Sequence, residues 1–208
     1  MKITFKILLV ACIAVMGYLC TKSILDPIEF KEEKDRRDLA VKTRLIEIRK
    51  AQMEYRNING KYTASFDTLI SFIKEGKLPM ILKEGILTDQ QLEEGLTEKE
   101  AVKKGLIKRD TTYVNIIDTL FAPGFVADSI QFVPGTSTRF EMATGAIETA
   151  SGLVIQVFEA KTPFSVYLQG LDKQEIYNLI DYATKVDKYP GMQVGSVKEA
   201  NNNAGNWE

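Results

Sequence analysis

The sequence predicts an α+β fold: a single N-terminal transmembrane helix that continues into a long amphipathic helix packed on an antiparallel β-sheet, followed by a C-terminal helix. Three observations predict it. Residues 7–21, ILLVACIAVMGYLCT, carry no charge and lie between Lys6 and Lys22. Residues 29–57 contain neither Gly nor Pro and repeat apolar side chains at helical spacing. From Thr111 onward, β-branched and aromatic runs alternate with Pro and Gly. The chain therefore divides into a transmembrane anchor over residues 1–26 and an extracytoplasmic domain over residues 27–208. Within that domain the stalk helix is expected at 27–58 and the antiparallel sheet at 111–170.

The anchor rests on length. Residues 3–25 span about 34 Å as a helix, enough for a hydrocarbon core of about 30 Å. The uncharged middle alone reaches only about 22 Å, so crossing requires Lys6 and Lys22 to extend their stems towards the headgroups. Two other readings use the same residues. A cleavable signal peptide would take Lys2 and Lys6 as its basic region and Val15 and Gly17 as the small residues before a cut at Tyr18. A lipoprotein would use the string Leu9, Val10, Ala11, Cys12. The uncleaved anchor is preferred because the apolar run leads directly into a helical pattern. Lys31, Lys34, Arg36 and Arg37 after the span outnumber the lysines before it, but acidic residues interleave with them and long C-terminal domains translocate largely regardless of charge. The expected location is the cell inner membrane, single-pass, with the C-terminal domain in the periplasm.

Pro27 removes one backbone hydrogen bond from the helix and is expected to kink it. Beyond it, Val41, Leu45, Ile48, Gln52 and Tyr55 recur at steps of four and three, one face of a long helix. Leu39, Ile46 and Met53 make a seven-spaced row, expected to widen that face enough to cover a folded domain. The run KEEKDRRD, residues 31–38, mixes both signs and reads as a solvated helix face. Asn59 and Gly60 end the helix, Gly because it enters the left-handed region without steric cost.

A second helix follows over residues 65–75, with Ser65 as cap, Phe66, Leu69, Ile70 and Ile73 on one face, and Gly76 as terminator. Thr97 and Glu100 have capping-box spacing for a short helix ending at Gly105, inside a loop expected over residues 79–110. The runs TTYVNIIDTLF, SIQFV, RFEMATGAI, GLVIQVFEA and PFSVYL read as four or five antiparallel strands, with a turn at Pro134-Gly135 and a bulge or tight connection at Gly145. Asp172 and Glu175 cap a last helix over residues 173–186, whose Ile176, Leu179, Ile180 and Ala183 are expected to pack on the sheet. The tail GSVKEANNNAGNWE reads as loop, with Trp207 available to anchor its end.

Composition narrows the function. There are 27 Lys and Arg against 28 Asp and Glu, so no basic field attracts a phosphate backbone and nucleic acid is not expected as a partner. The chain has no His, which removes imidazole-based triads and His-ligated zinc. Its two cysteines, Cys12 and Cys20, both lie in the apolar run. Ser71 and Lys74 match S-x-x-K, but no SDN or KTG partner follows, and the motif falls within an ordinary amphipathic helix. No dinucleotide, P-loop or EF-hand string occurs. Asp187, Glu199 and Asn201 to Asn203 supply oxygen donors of the kind calcium prefers, without regular ligand spacing, so a solvated tail is the preferred reading. No catalytic residue, cofactor or metal ligand is assigned.

An apolar helix continuing as an amphipathic one, then Gln52, Tyr55, Gly60, Lys61 and Tyr62 in AQMEYRNINGKYTASFDTL, resembles type IV pilins and type II secretion pseudopilins over about residues 3–70. The resemblance implies a long, often kinked helix lying along an antiparallel sheet, and a place in a secretion- or pilus-related assembly. The prepilin-peptidase site of those families, a Gly before Phe or Met with a Glu five residues into the mature chain, has no counterpart here; the first acidic residue is Asp26.

The function expected is therefore a non-enzymatic, membrane-anchored interaction or structural module. Its partners would be the inner membrane, other membrane-assembly proteins and a homo-oligomer formed through the long helix. Val41, Leu45, Ile48 and Tyr55 are the candidate packing face. The alternative is an exported or lipid-anchored envelope hydrolase or glycan-binding domain, which would need a cleft where acids and aromatics converge.

Overall fold

The computed structural model describes residues 2–84, 97, 100, 108–149 and 152–208. It is α+β. Helix α1 (Lys2–Asn59) runs without interruption through Pro27, and Gly60 closes it with φ 74° and a backbone bond from its N–H to the Arg56 carbonyl at 2.8 Å. Its first half is apolar and long enough to cross a membrane, and none of that stretch is buried in the chain: Val10, Ile13, Met16 and Tyr18 are all exposed.

The chain divides into two compact units, one of residues 1–64 with 130–208, the other of residues 65–129. In the first, β3 (Glu141–Glu148), β4 (Val154–Pro163) and β5 (Gly191–Gly195) form an antiparallel sheet in the order β3-β4-β5. β4 pairs Glu141 with Lys161 on one side and Gly195 with Glu159 on the other. Being central, it buries both faces. Alternation puts Phe158, Ala160 and Thr162 on one face and Val157, Glu159 and Lys161 on the other. The first face meets the end of the stalk: α1 packs on β4 and β5, and the rings of Tyr62 and Phe158 lie 4.9 Å apart. The four-residue helix α4 (Phe164–Tyr167) packs on β4 and β5, and α5 (Lys173–Lys185) packs on α4. Asp172 caps α5 by accepting from the Gln174 and Glu175 N–H groups.

The second unit holds α2 (Phe66–Glu75), β1 (Lys77–Glu84), β2 (Lys108–Asn115), α3 (Ile116–Leu120) and a 3-10 turn (Ala127–Gln131) that runs into the first unit. α2 has Ser65 as its cap and buries Phe66, Leu69, Ile70 and Ile73, the face the spacing predicts. β1 and β2 form a separate two-stranded antiparallel sheet, Lys77 opposite Asn115. Phe121 and Phe125 stack with ring centroids 4.0 Å apart.

Several expectations change. The sheet expected over 111–170 is two sheets, one of them reaching back to Lys77 and the other forward to Gly195. The expected loop over 79–110 contains most of β1 and the start of β2. PFSVYL is helical from Phe164 to Tyr167, and SIQFV is mainly a 3-10 turn, with Phe132 bridged to Arg139. Gly145 sits in regular register opposite Val157, without a bulge. The Thr97–Glu100 capping box forms, each residue's N–H bonded to the other's side chain at 3.2 and 3.4 Å; the helix end at Gly105 lies outside the described residues.

Candidate functional site

The stalk has an inner and an outer face. On the inner face Val41, Leu45, Ile48, Ala51 and Gln52 are fully buried, and Tyr55 is half-buried. The proposed packing face is thus the stalk's own contribution to the domain core. Gln52 carries a specific burden there. Its amide donates to the Thr63 carbonyl at 2.6 Å and to the Met142 sulfur at 3.0 Å, while its oxygen accepts from the Thr63 N–H at 3.2 Å. One side chain thereby satisfies both backbone groups of the segment that turns back from the helix.

The row Leu39, Ile46, Met53 was expected to widen the buried face and does not. Leu39 is 65% and Met53 43% exposed, with Ile46 intermediate. At about 100° per residue, Leu39 lies roughly 160° from Val41, so its row points away from the sheet. This leaves an apolar stripe on the outer face of the stalk.

At the end of the domain nearest the apolar half of α1, the mixed-charge run is more than a solvated face. Arg37 donates to Glu33 at 2.7 Å and to the carbonyls of Tyr167 and Gln169 at 3.0 and 2.9 Å. Asp38 accepts from the Tyr167 hydroxyl at 2.7 Å and from Lys34 at 2.5 Å. Burial, with the Asp38 charge added, pushes the Tyr167 phenol well above the ordinary tyrosine range. Hydrogen bonds from Arg36 and then Arg37 hold the Glu33 carboxyl below the usual carboxylate range. A cavity of about 730 Å³ opens here between the stalk and the 134–138 turn, lined by Glu33, Arg36, Arg37 and Tyr167 among others.

A second cleft, about 680 Å³, lies between the edge of the sheet and the C-terminal tail. Glu159, 5% exposed, accepts from Lys161 at 2.6 Å, from Gln193 at 3.3 Å and from the Val197 N–H at 3.4 Å. Lys161 lies 5.3 Å from the Tyr189 ring centroid. Burial raises the Tyr189 phenol to about 12, with the charges of Glu141 and Glu159 adding to it. Asp187, Glu199 and Glu208 also line this cleft.

The polar tail is folded onto β5 and the stalk. The Gly195 N–H bonds the Ala204 carbonyl at 2.9 Å, the Asn206 N–H bonds the Gln193 carbonyl at 3.0 Å, and Gly205 bridges to Val194. Asn203 donates to the Tyr62 hydroxyl at 3.0 Å, Arg49 reaches Glu208 at 2.7 Å, and Lys42 lies 5.8 Å from the Trp207 ring centroid. Sequence reading found Trp207 but not the stalk residues that hold the tail, because Arg49, which takes Glu208, and Lys42, which faces Trp207, look like ordinary surface charges until the tail lies beside them. Asn203 is committed to Tyr62, and among the described residues no three Asp, Glu or Cys side chains converge as a metal set. Lys74 of the S-x-x-K string is engaged by both oxygens of Asp128, each at 2.8 Å.

Comparison with known proteins finds no matching family model, curated protein or solved structure. What stands without analogy is a long apolar N-terminal helix whose second half packs against a small antiparallel sheet.

Proposed function

We propose that this chain is a non-enzymatic, single-pass envelope protein of the inner membrane, its domain held in the periplasm as an interaction module of a secretion- or pilus-related assembly. The observation that carries the reading is the unbroken helix α1, apolar and exposed along its first half, then buried on one side and apolar on the other. Such a helix confines the domain to a membrane surface and offers Leu39, Ile46 and Met53 to a neighbouring helix. The pilin-like plan, a long helix lying along an antiparallel sheet, agrees with this layout, although α1 continues through Pro27 without a break. Cysteine crosslinking of the full-length protein in membranes tests it, with Cys12 and Cys20 replaced by Ser and single cysteines placed at Ile46 or Met53. Adducts from these positions, and none from a cysteine at exposed Lys188 beyond the end of α5, are expected. An adduct at twice the monomer mass identifies homo-oligomers, another mass identifies a second membrane protein, and monomer alone from every position refutes the module.

The alternative, an exported or lipid-anchored envelope hydrolase or glycan-binding domain, draws on the second cleft, whose lining includes Glu159, Asp187, Glu199, Glu208 and Tyr189. The most buried of those acids, Glu159, already accepts from Lys161, Gln193 and Val197, which favours the module. Calorimetric titration with a soluble cell-wall oligosaccharide separates the two. Binding that disappears in Glu159→Gln supports the alternative, and absence of binding removes its glycan-binding form.

A further inference from the structure

We draw no further inference here: the strongest candidate, the exposed apolar row Leu39, Ile46 and Met53 on the outer face of α1, already carries the proposed function, and nothing in the structure shows what covers it.

Discussion

Replacing Gln52 by Leu tests whether the stalk is locked to its domain by polar bonds as well as by apolar burial. Gln52 is fully buried and serves both backbone groups of Thr63, at 2.6 and 3.2 Å. Losing two such bonds costs about 1–3 kcal/mol on the net scale of intramolecular hydrogen bonds, and more where the abandoned groups stay dry. Leu recovers about 1 kcal/mol by burying carbon where the amide was. Thr63 is half-buried, so water reaches part of what is abandoned, and a net loss of about 1 kcal/mol follows. For a chain of this size that is a fall in Tm of about 2–4 °C. Gln52→Glu keeps an acceptor for the Thr63 N–H but loses the donor to its carbonyl and buries a charge, so it should be worse than Leu at neutral pH. Thermal unfolding of the full-length protein in detergent, followed by near-ultraviolet circular dichroism, reads all three. A Leu variant melting within a degree of wild type, or a Glu variant as stable as the Leu one, would refute the reasoning.

Tyr167→Phe removes the 2.7 Å bond to Asp38 at a site only 2% exposed and should cost about 1–2 kcal/mol. A double-mutant cycle with Asp38→Asn should show coupling above about 0.5 kcal/mol, and strict additivity would show that the bond contributes nothing. Tyr189 has a phenol pKa raised to about 12 in the folded chain against about 10 unfolded, so its stabilisation is complete below pH 10 and is lost as pH rises towards 12. Urea titrations at pH 9 and 11.5 should show that loss, and Tyr189→Phe should lose less over the same interval; equal losses would place the phenol in water. Gly195 has φ 69°, and a side chain there would collide with the Phe158 carbonyl, whereas Gly60 has φ 74° with open space around it. Gly60→Ala should cost about 1–2 kcal/mol from its left-handed backbone alone, and Gly195→Ala clearly more. Equal melting temperatures for the two variants would contradict the close approach of β5 to β4.

Legibility followed the range of the forces involved. α2 and the Asp172 cap were readable because a capping oxygen and its N–H partners sit within three residues, and the buried face repeats within two turns. β3 and β4 were readable as β-rich runs bounded by turn residues. β5 was not: Gly-Met-Gln-Val-Gly has too few apolar residues to announce a strand, and it exists because its backbone pairs with residues 159–163, about thirty positions away. β1 escaped for the same reason, its ladder partner beginning at Lys108 beyond a long intervening segment, with Pro79 inside it arguing against a strand. PFSVYL failed in the other direction. Its six residues suit either period, and the chain used them for a helical turn whose Tyr167 hydroxyl reaches Asp38 on the stalk.

By itself the sequence determined that a long uncharged run leads into an amphipathic helix, that the rest is mixed α and β, and which side chains of that helix are apolar. These follow from composition and periods of 3.6 and 2, which need no knowledge of distant residues. Only the tertiary structure decided which apolar row the domain takes and which it leaves outside, and that Gln52, Arg37 and Arg49 tie the stalk to segments far along the chain. Helical periodicity places residues around an axis, but which side of that axis is covered depends on where the sheet and the tail come to lie.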